Sequence, residues 1–311
     1  MSGGLDSQLA IRVLERAGAE VEAVCFNSPF FDISDAQATA DRLGVKLRIV
    51  DFTDDILRLV KSPAHGFGGA LNPCIDCHAT MIMRAGELMT QLGYDFVATG
   101  EVQGQRPMSQ NKQALGVVEK CSGLKGRLIR PLSAKLLEPT IPEIEGKLNR
   151  EALLDISGRG RERQIQLAAE FEITDYPSPA GGCKLTEAGF ARKLKDLMDH
   201  EGLDQRTLVE LLVVARRFRL PGGTGVILGR DANENRHLKS FEGRYTVILP
   251  VNVPGPTAIV PKVKSESDFE LAKELVAAYS RYDRLEGDIK LNMGFVARPY
   301  NRDKFKAWQI C

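Results

Sequence analysis

Apolar side chains at Leu9, Ala10, Val13, Leu14 and Ala17 recur at the spacing of one helix face, and Gly18 stands where a glycine commonly ends a helix. The pattern predicts a helix over residues 7–17. A continuous apolar run at residues 21–26 then reads as a buried strand. The alternation continues with a helix over residues 35–43 closed by Gly44, a strand over 45–50 and a helix over 54–61. After a loop carrying Gly66, Gly68 and Gly69, residues 77–92 return to helical spacing and residues 96–99 to a strand. Strands and helices alternating at this interval predict a parallel sheet covered on both faces.

Between residues 140 and 171 the pattern is charged and helical, with Arg159, Arg161 and Arg163 clustered. The stretch Tyr176-Pro177-Ser178-Pro179-Ala180-Gly181-Gly182 is the clearest interruption, because proline fixes φ and glycine frees it. Two domains are expected, 1–186 and 187–311. The second shows amphipathic helices over 190–198 and 207–218, a Gly-rich turn and strands over 225–228 and 245–249. A helix over 268–282 and a final strand over 294–298 complete a smaller α+β domain. The first domain has one anomaly. A Gly-rich loop in an alternating fold should follow a central strand, yet only Met1 precedes Ser2. The sequence is therefore expected to begin inside the domain, its first strand missing, unless another segment fills that slot.

An apolar share of 43% is enough to build a real core in 311 residues. The net charge of +1 provides no overall basic field. Residues 187–311 carry 21 Lys and Arg against 17 Asp and Glu, and residues 1–186 carry 21 against 24. The second half thus tolerates an RNA partner without requiring one. No apolar run approaches the roughly 20 residues that span a bilayer, so a cytoplasmic protein without a membrane partner is expected. In such a compartment the six cysteines, Cys25, Cys74, Cys77, Cys121, Cys183 and Cys311, point to metal binding or catalysis rather than to disulfides.

The opening hexapeptide Ser2-Gly3-Gly4-Leu5-Asp6-Ser7 leads straight into a helix. Successive glycines let backbone N–H groups converge, and the helix N-terminus adds partial positive charge, which together make an anion cradle. Ser2 and Ser7 can add hydroxyl donors, and Asp6 can hold a divalent cation. A Walker loop would need a Gly-Lys-Ser/Thr, which is absent. The hexapeptide resembles the PP-loop of the ATP pyrophosphatases. The resemblance implies a doubly wound α/β sheet of the adenine nucleotide α-hydrolase, HUP-like kind. It also implies cleavage of ATP, with Mg²⁺, to AMP and pyrophosphate while a substrate is adenylated. The loop would hold the pyrophosphate, and adenine would lie beside the strand bearing Cys25-Phe26-Asn27-Ser28. The segments Ala98-Thr99-Gly100-Glu101 and Arg130-Pro131-Leu132 with Lys135 resemble stretches shared by the tRNA-thiolating members, placing Phe26, Gly100, Arg130 and Lys135 among the nucleotide-binding residues. Arg106 is a further candidate for a phosphate.

Cys74 and Cys77 form a Cys-x-x-Cys at an expected helix start, where the dipole favours thiolates, and Cys183 follows the Pro- and Gly-rich stretch. Three thiolates can hold a [4Fe–4S] cluster with one iron open, or a zinc. This layout resembles the 2-thiouridine and 4-thiouridine synthases, whose members use either a cluster or a persulfide relay. The Cys-x-x-Cys with a third cysteine looks more like the cluster-bearing members; the relay-type members imply instead that Cys183 would carry the sulfur and Cys74 or Cys77 would resolve it. An ATP-dependent tRNA sulfurtransferase follows as the leading expectation, with Asp6, Cys74, Cys77 and Cys183 as catalytic residues. Its partners would be tRNA and a sulfur donor (a desulfurase, a carrier or sulfide), and a homodimer is compatible. Alternatives are a PP-loop amidating or ligating enzyme acting on a small molecule, and a non-catalytic RNA-binding factor with a residual nucleotide site. In the second half, Arg216, Arg217 and Arg219 before a Gly-rich turn, and the run from Gly229 through Arg230 to Arg236 and His237, suit phosphate and ribose contacts. That segment resembles the RNA-binding domain of ribosome-quality-control proteins.

Overall fold

The computed structural model describes residues 1–178, 182–281, 287–294, 296–298 and 301–311. Parts of the expected interruption (179–181), the end of the expected helix at residue 282 and residue 295 of the final strand lie outside the described residues. The chain divides into two compact units, Met1–Thr186 and Glu187–Cys311.

The first unit opens with α1 (Leu5–Arg16), whose apolar face of Leu5, Leu9, Val13 and Leu14 is fully buried. Then come β1 (Ala23–Asn27), α2 (Ser34–Leu43), β2 (Leu47–Asp51), α3 (Thr53–Lys61) and α4 (Cys74–Leu92). After β3 (Val97–Ala98) the unit closes with α5 (Lys112–Ser122), β4 (Leu128–Ile129), α6 (Ile141–Ile144) and α7 (Glu162–Glu170). β1 pairs with β2 and β3 with β4, both in parallel, which is the signature of strands joined by helical crossovers. Along β1 the amides of alternate residues turn toward β2, so Val24 faces the other edge, where its carbonyl accepts the Met1 amino group. The core beneath α1 gathers Val102, Ile129, Leu132, Leu148, Leu153, Ile156 and Ala168. α7 lies beside α1, tied at its far end by Arg16 to Glu170 at 3.0 Å and by Arg16 over the Phe171 ring. The charged stretch 140–171 is less helical than its pattern predicts: two one-turn segments and an extended piece precede α7, because Leu154 and Ile156 bond to the backbone of Pro131 and Leu132 instead.

The second unit contains α8 (Ala188–His200), α9 (Arg206–Val214), β5 (Arg216–Arg219), β6 (Gly225–Leu228), α10 (Ala232–Lys239), β7 (Thr246–Ile248), β8 (Ala258–Val260) and α11 (Glu266–Tyr279). β9 (Ile289–Lys290), β10 (Val296–Ala297), α12 (Asp303–Lys306) and β11 (Gln309–Ile310) follow. A five-stranded antiparallel sheet in the order β11-β5-β6-β8-β7 packs its buried residues, Phe218, Val226, Leu228, Ile248, Ala258 and Val260, against Ala272, Leu275 and Val276 of α11. The helix expected over 207–218 stops four residues early. Ala215 turns to extended backbone, and residues 216–219 pair with β6 as a strand.

Candidate active site

Gly3 adopts φ +81, and a Cβ there would stand 2.6 Å from the backbone of Asp35. Only glycine fits that turn. Gly4 caps α1 in extended conformation, and its carbonyl takes the amides of Ser7 and Gln8 and the Ser7 hydroxyl at 2.7 Å. The amides of Leu5 and Asp6 stand in the first turn, ahead of the helical ladder, and are left for an outside acceptor. The Ser2 hydroxyl lies 3.4 Å from the Gly4 amide. Asp6 accepts one hydrogen bond, from Gln105 Nε2 at 3.0 Å, while its other oxygen, Oδ1, is buried without a partner. An orphaned, buried carboxylate oxygen beside an anion cradle fits a divalent cation. Gly100, after β3, presses on the same turn: a Cβ there would come within 2.8 Å of the Asp6 carbonyl oxygen. Phe26 on β1 stands edge-on to Phe52, with ring centroids 5.4 Å apart.

Arg130 and Lys135 are engaged elsewhere. Arg130 is 3% exposed; its Nε donates to Glu101 at 2.9 Å and its terminal nitrogen to the Leu115 carbonyl at 3.1 Å. Lys135 Nζ donates to the Glu151 carbonyl at 2.9 Å. Each cation thus satisfies a group of its own fold, with the Lys135 side chain partly exposed. Arg106 is exposed.

α4 begins at Cys74, three residues before the start its pattern predicts, which brings both thiols into the first turn. The Asn72 amide donates to Cys74 Sγ at 3.1 Å. Cys183 is held near the end of β1, where the Lys184 amide donates to the Phe30 carbonyl at 3.0 Å. The expected thiolates are opposed by burial. Burial first, then the fields of Cys183, Cys74 and Asp76, push the Cys77 thiol well up. Burial also pushes Cys183 up, against the nearby Leu185 amide. The thiols thus sense one another, yet among the described residues no group of three His, Cys, Asp or Glu side chains is disposed to hold a metal ion. The arrangement does not fit a three-cysteine cluster or zinc as it stands.

One side-chain hub is absent from the sequence reading. Glu101 is buried and receives His78 Nδ1 at 2.9 Å, the Thr99 hydroxyl at 3.0 Å and Arg130. Burial alone would raise its carboxyl, but the His78 hydrogen bond and the His78 and Arg130 charges outweigh it and hold it down to about 2. A second pair joins His65 Nδ1 to buried Asp76 at 2.5 Å, between the two cysteines in sequence. An acidic residue directly after Thr-Gly and a histidine directly after Cys-x-x-Cys were the available signals for the hub.

In the second unit, the β5 arginines expected to meet RNA are engaged within the fold, whereas Arg230 and Arg236, expected with them, are exposed. Arg217 is fully buried, and Asp196 and Glu201 clamp it together with Arg219. Burial would raise both carboxyls, but the hydrogen bonds and charges of Arg219 and Arg217 keep them low. Arg216 lies over the Tyr279 ring at 5.4 Å. Alternation explains the surprise: in β5 the side chains of Arg217 and Arg219 share one sheet face, where two carboxylates wait.

Residues 1–118 match the family described as tRNA methyl transferase HUP domain, and residues 215–305 match the family described as NFACT protein RNA binding domain. The tRNA-specific 2-thiouridylase MnmA of Sulfurimonas denitrificans is 34% identical over 112 residues, covering 32% of this chain and 32% of that protein. MnmA of Marinobacter nauticus is 32% identical over 124 residues, covering 35% and 32%. The matched region spans about a third of the length of these curated relatives. A solved C-terminal part of the fibronectin/fibrinogen-binding protein from Streptococcus suis covers 83% of this chain and 97% of its own, at 14% identity and a TM-score of 0.25, too low to bear on the fold. Among the described residues no helix is long and apolar enough to cross a membrane. The chain is thus similar over residues 1–118 to the HUP domain family, over residues 215–305 to the NFACT RNA binding domain, and over about a third of its length to part of the MnmA 2-thiouridylases.

Proposed function

We propose that the protein is an ATP-dependent tRNA sulfurtransferase that adenylates a uridine carbonyl oxygen and replaces it with sulfur. The observation that carries this reading is the Gly3–Gly4 turn, with free first-turn amides and the orphaned Asp6 oxygen, on the same unit as three mutually sensing thiols. Ser2, Gly3, Gly4 and Ser7 line the polyphosphate cradle, Asp6 holds Mg²⁺, and Phe26 and Gly100 flank the nucleotide. Bound Mg²⁺ supplies charge neutralisation on the phosphates. A ring carbonyl oxygen leaves poorly, whereas the same oxygen bonded to AMP leaves well.

Sulfur delivery is assigned to a relay, in place of the cluster that the cysteine count favours, because the thiols are not disposed around a metal. A donor first leaves a persulfide on Cys183. Its outer sulfur bonds to the activated carbon, and AMP departs with the oxygen. Cys74 or Cys77 then attacks Cys183 Sγ, the persulfide S–S bond breaks, and the sulfur stays on the base. The resulting Cys–Cys disulfide must be reduced by an external thiol before the next turnover. The second unit holds the RNA. Mass spectrometry of tRNA nucleosides from cells with and without the gene tests the whole reading: loss of one thionucleoside is expected, and unchanged thionucleosides refute it.

A further inference from the structure

The second unit must meet RNA somewhere, and β5 no longer offers its arginines. The end of the expected run, at Arg236 and His237, continues into a surface that has the required chemistry. His237, Phe241 and Tyr245 follow one another at intervals of four along the end of α10 and the turn after it. His237 stands edge-on to Phe241 with centroids 5.2 Å apart, and Phe241 lies tilted to Tyr245 at 6.4 Å. His237 is exposed, and Phe241 and Tyr245 are half-buried. The Tyr245 hydroxyl is anchored by the Gln205 amide oxygen at 2.9 Å, which fixes the ring in place.

One cation lies against these rings and two more stand on α10. Arg244 places its guanidinium 5.4 Å from the Tyr245 centroid and donates to the Thr207 hydroxyl at 3.0 Å; Arg236 and Lys239 project from α10. All three are exposed, and among the described residues none pairs with a carboxylate. By contrast Arg230 is tied to Glu234, and Asp231 caps α10. The exposed Glu242 is the opposing charge within the patch. Next to Tyr245 the surface dips into a cavity of about 430 Å³, lined from Glu242 to Val247 and by Pro261.

We propose that Phe241 and Tyr245, flanked by His237, Arg236 and Arg244, form an aromatic contact surface for unpaired RNA bases. Aromatic side chains contact bases of any sequence, an Arg guanidinium over a ring adds a second planar surface, and the flanking cations follow the phosphates. A duplex hides its base faces and does not use this surface. The inference rests on the RNA-holding reading of the second unit.

The test is a titration of the full chain with a fluorescently labelled single-stranded oligoribonucleotide, at several salt concentrations. Phe241→Leu and Tyr245→Leu should each weaken binding roughly tenfold, while Tyr245→Phe keeps the ring and stays near the parent affinity. Arg236→Gln and Arg244→Gln should each flatten the slope of log K against log salt by about 0.7. Thermal unfolding of each variant separates lost base contact from lost folding: a leucine variant that melts like the parent and binds tenfold more weakly supports the contact surface. The proposal is overturned if the parent binds and the leucine variants bind equally well, or if duplex RNA of the same length binds as tightly as the single strand. A parent that binds no RNA overturns the RNA-holding reading itself, and this contact surface with it.

Discussion

Gly3 and Gly100 meet the first turn of α1 from two directions, and both sites exclude a side chain. At Gly3 the left-handed φ and the Asp35 backbone act together; at Gly100 the obstacle is the Asp6 carbonyl. Gly3→Ala and Gly100→Ala should each cost about 1–3 kcal/mol and weaken ATP binding. Thermal unfolding and isothermal titration with ATP read the two effects separately. Glu101 makes a different kind of prediction. Its carboxyl is held from the ordinary 4.5 down to about 2, so the stability it contributes is complete above pH 4.5 and is lost as pH falls through about 2. Acid unfolding of Glu101→Gln should lack that part of the pH dependence, and an unchanged acid limb would remove the hub's role in folding. At this scale the Gly-rich turn was legible, because its chemistry sits in consecutive residues. The occupation of Arg130 was not, because Glu101 and Glu119 reach it only after the chain folds.

α4 shows how an element alters the reactivity of its own side chains. Beginning at Cys74, it carries both cysteines at a positively polarised end, yet packing outweighs the dipole at Cys77. A raised thiol has less thiolate at neutral pH and alkylates slowly. Iodoacetamide at pH 7.5, followed by peptide mass mapping, should label exposed Cys121 many times faster than Cys77. Equal rates would mean that the α4 start is open to solvent. On the relay proposed above, Cys77 would act only after a bound partner rearranged this region, and Cys74 is the alternative. Periodicity located α1, α2 and α3 closely, since each has one apolar face and a polar remainder. It failed at β5, where Arg217 occupies a core position that hydrophobic patterning assigns to surface.

On the scale of the whole molecule, the two units should report their stabilities separately. Replacing Arg217 with Met leaves Asp196 and Glu201 short of a partner in a buried site, and breaking such a pair costs about 3–5 kcal/mol. Calorimetry of the full chain should show the transition of residues 187–311 moving down while that of residues 1–186 stays in place. A common shift of both transitions would show that the units unfold together. The two-unit division lay near the Pro- and Gly-rich stretch that the sequence displays openly, whereas the internal use of the β5 arginines depended on contacts more than fifteen residues apart. Within the first unit, adjacent residues brace two working parts: Gly100 abuts the nucleotide turn, and Glu101 grips α4 through His78. On the function proposed above, this bracing would act like the jaws of a fixed gauge, admitting an acceptor nucleoside only where its activated carbon reaches both the turn and the start of α4.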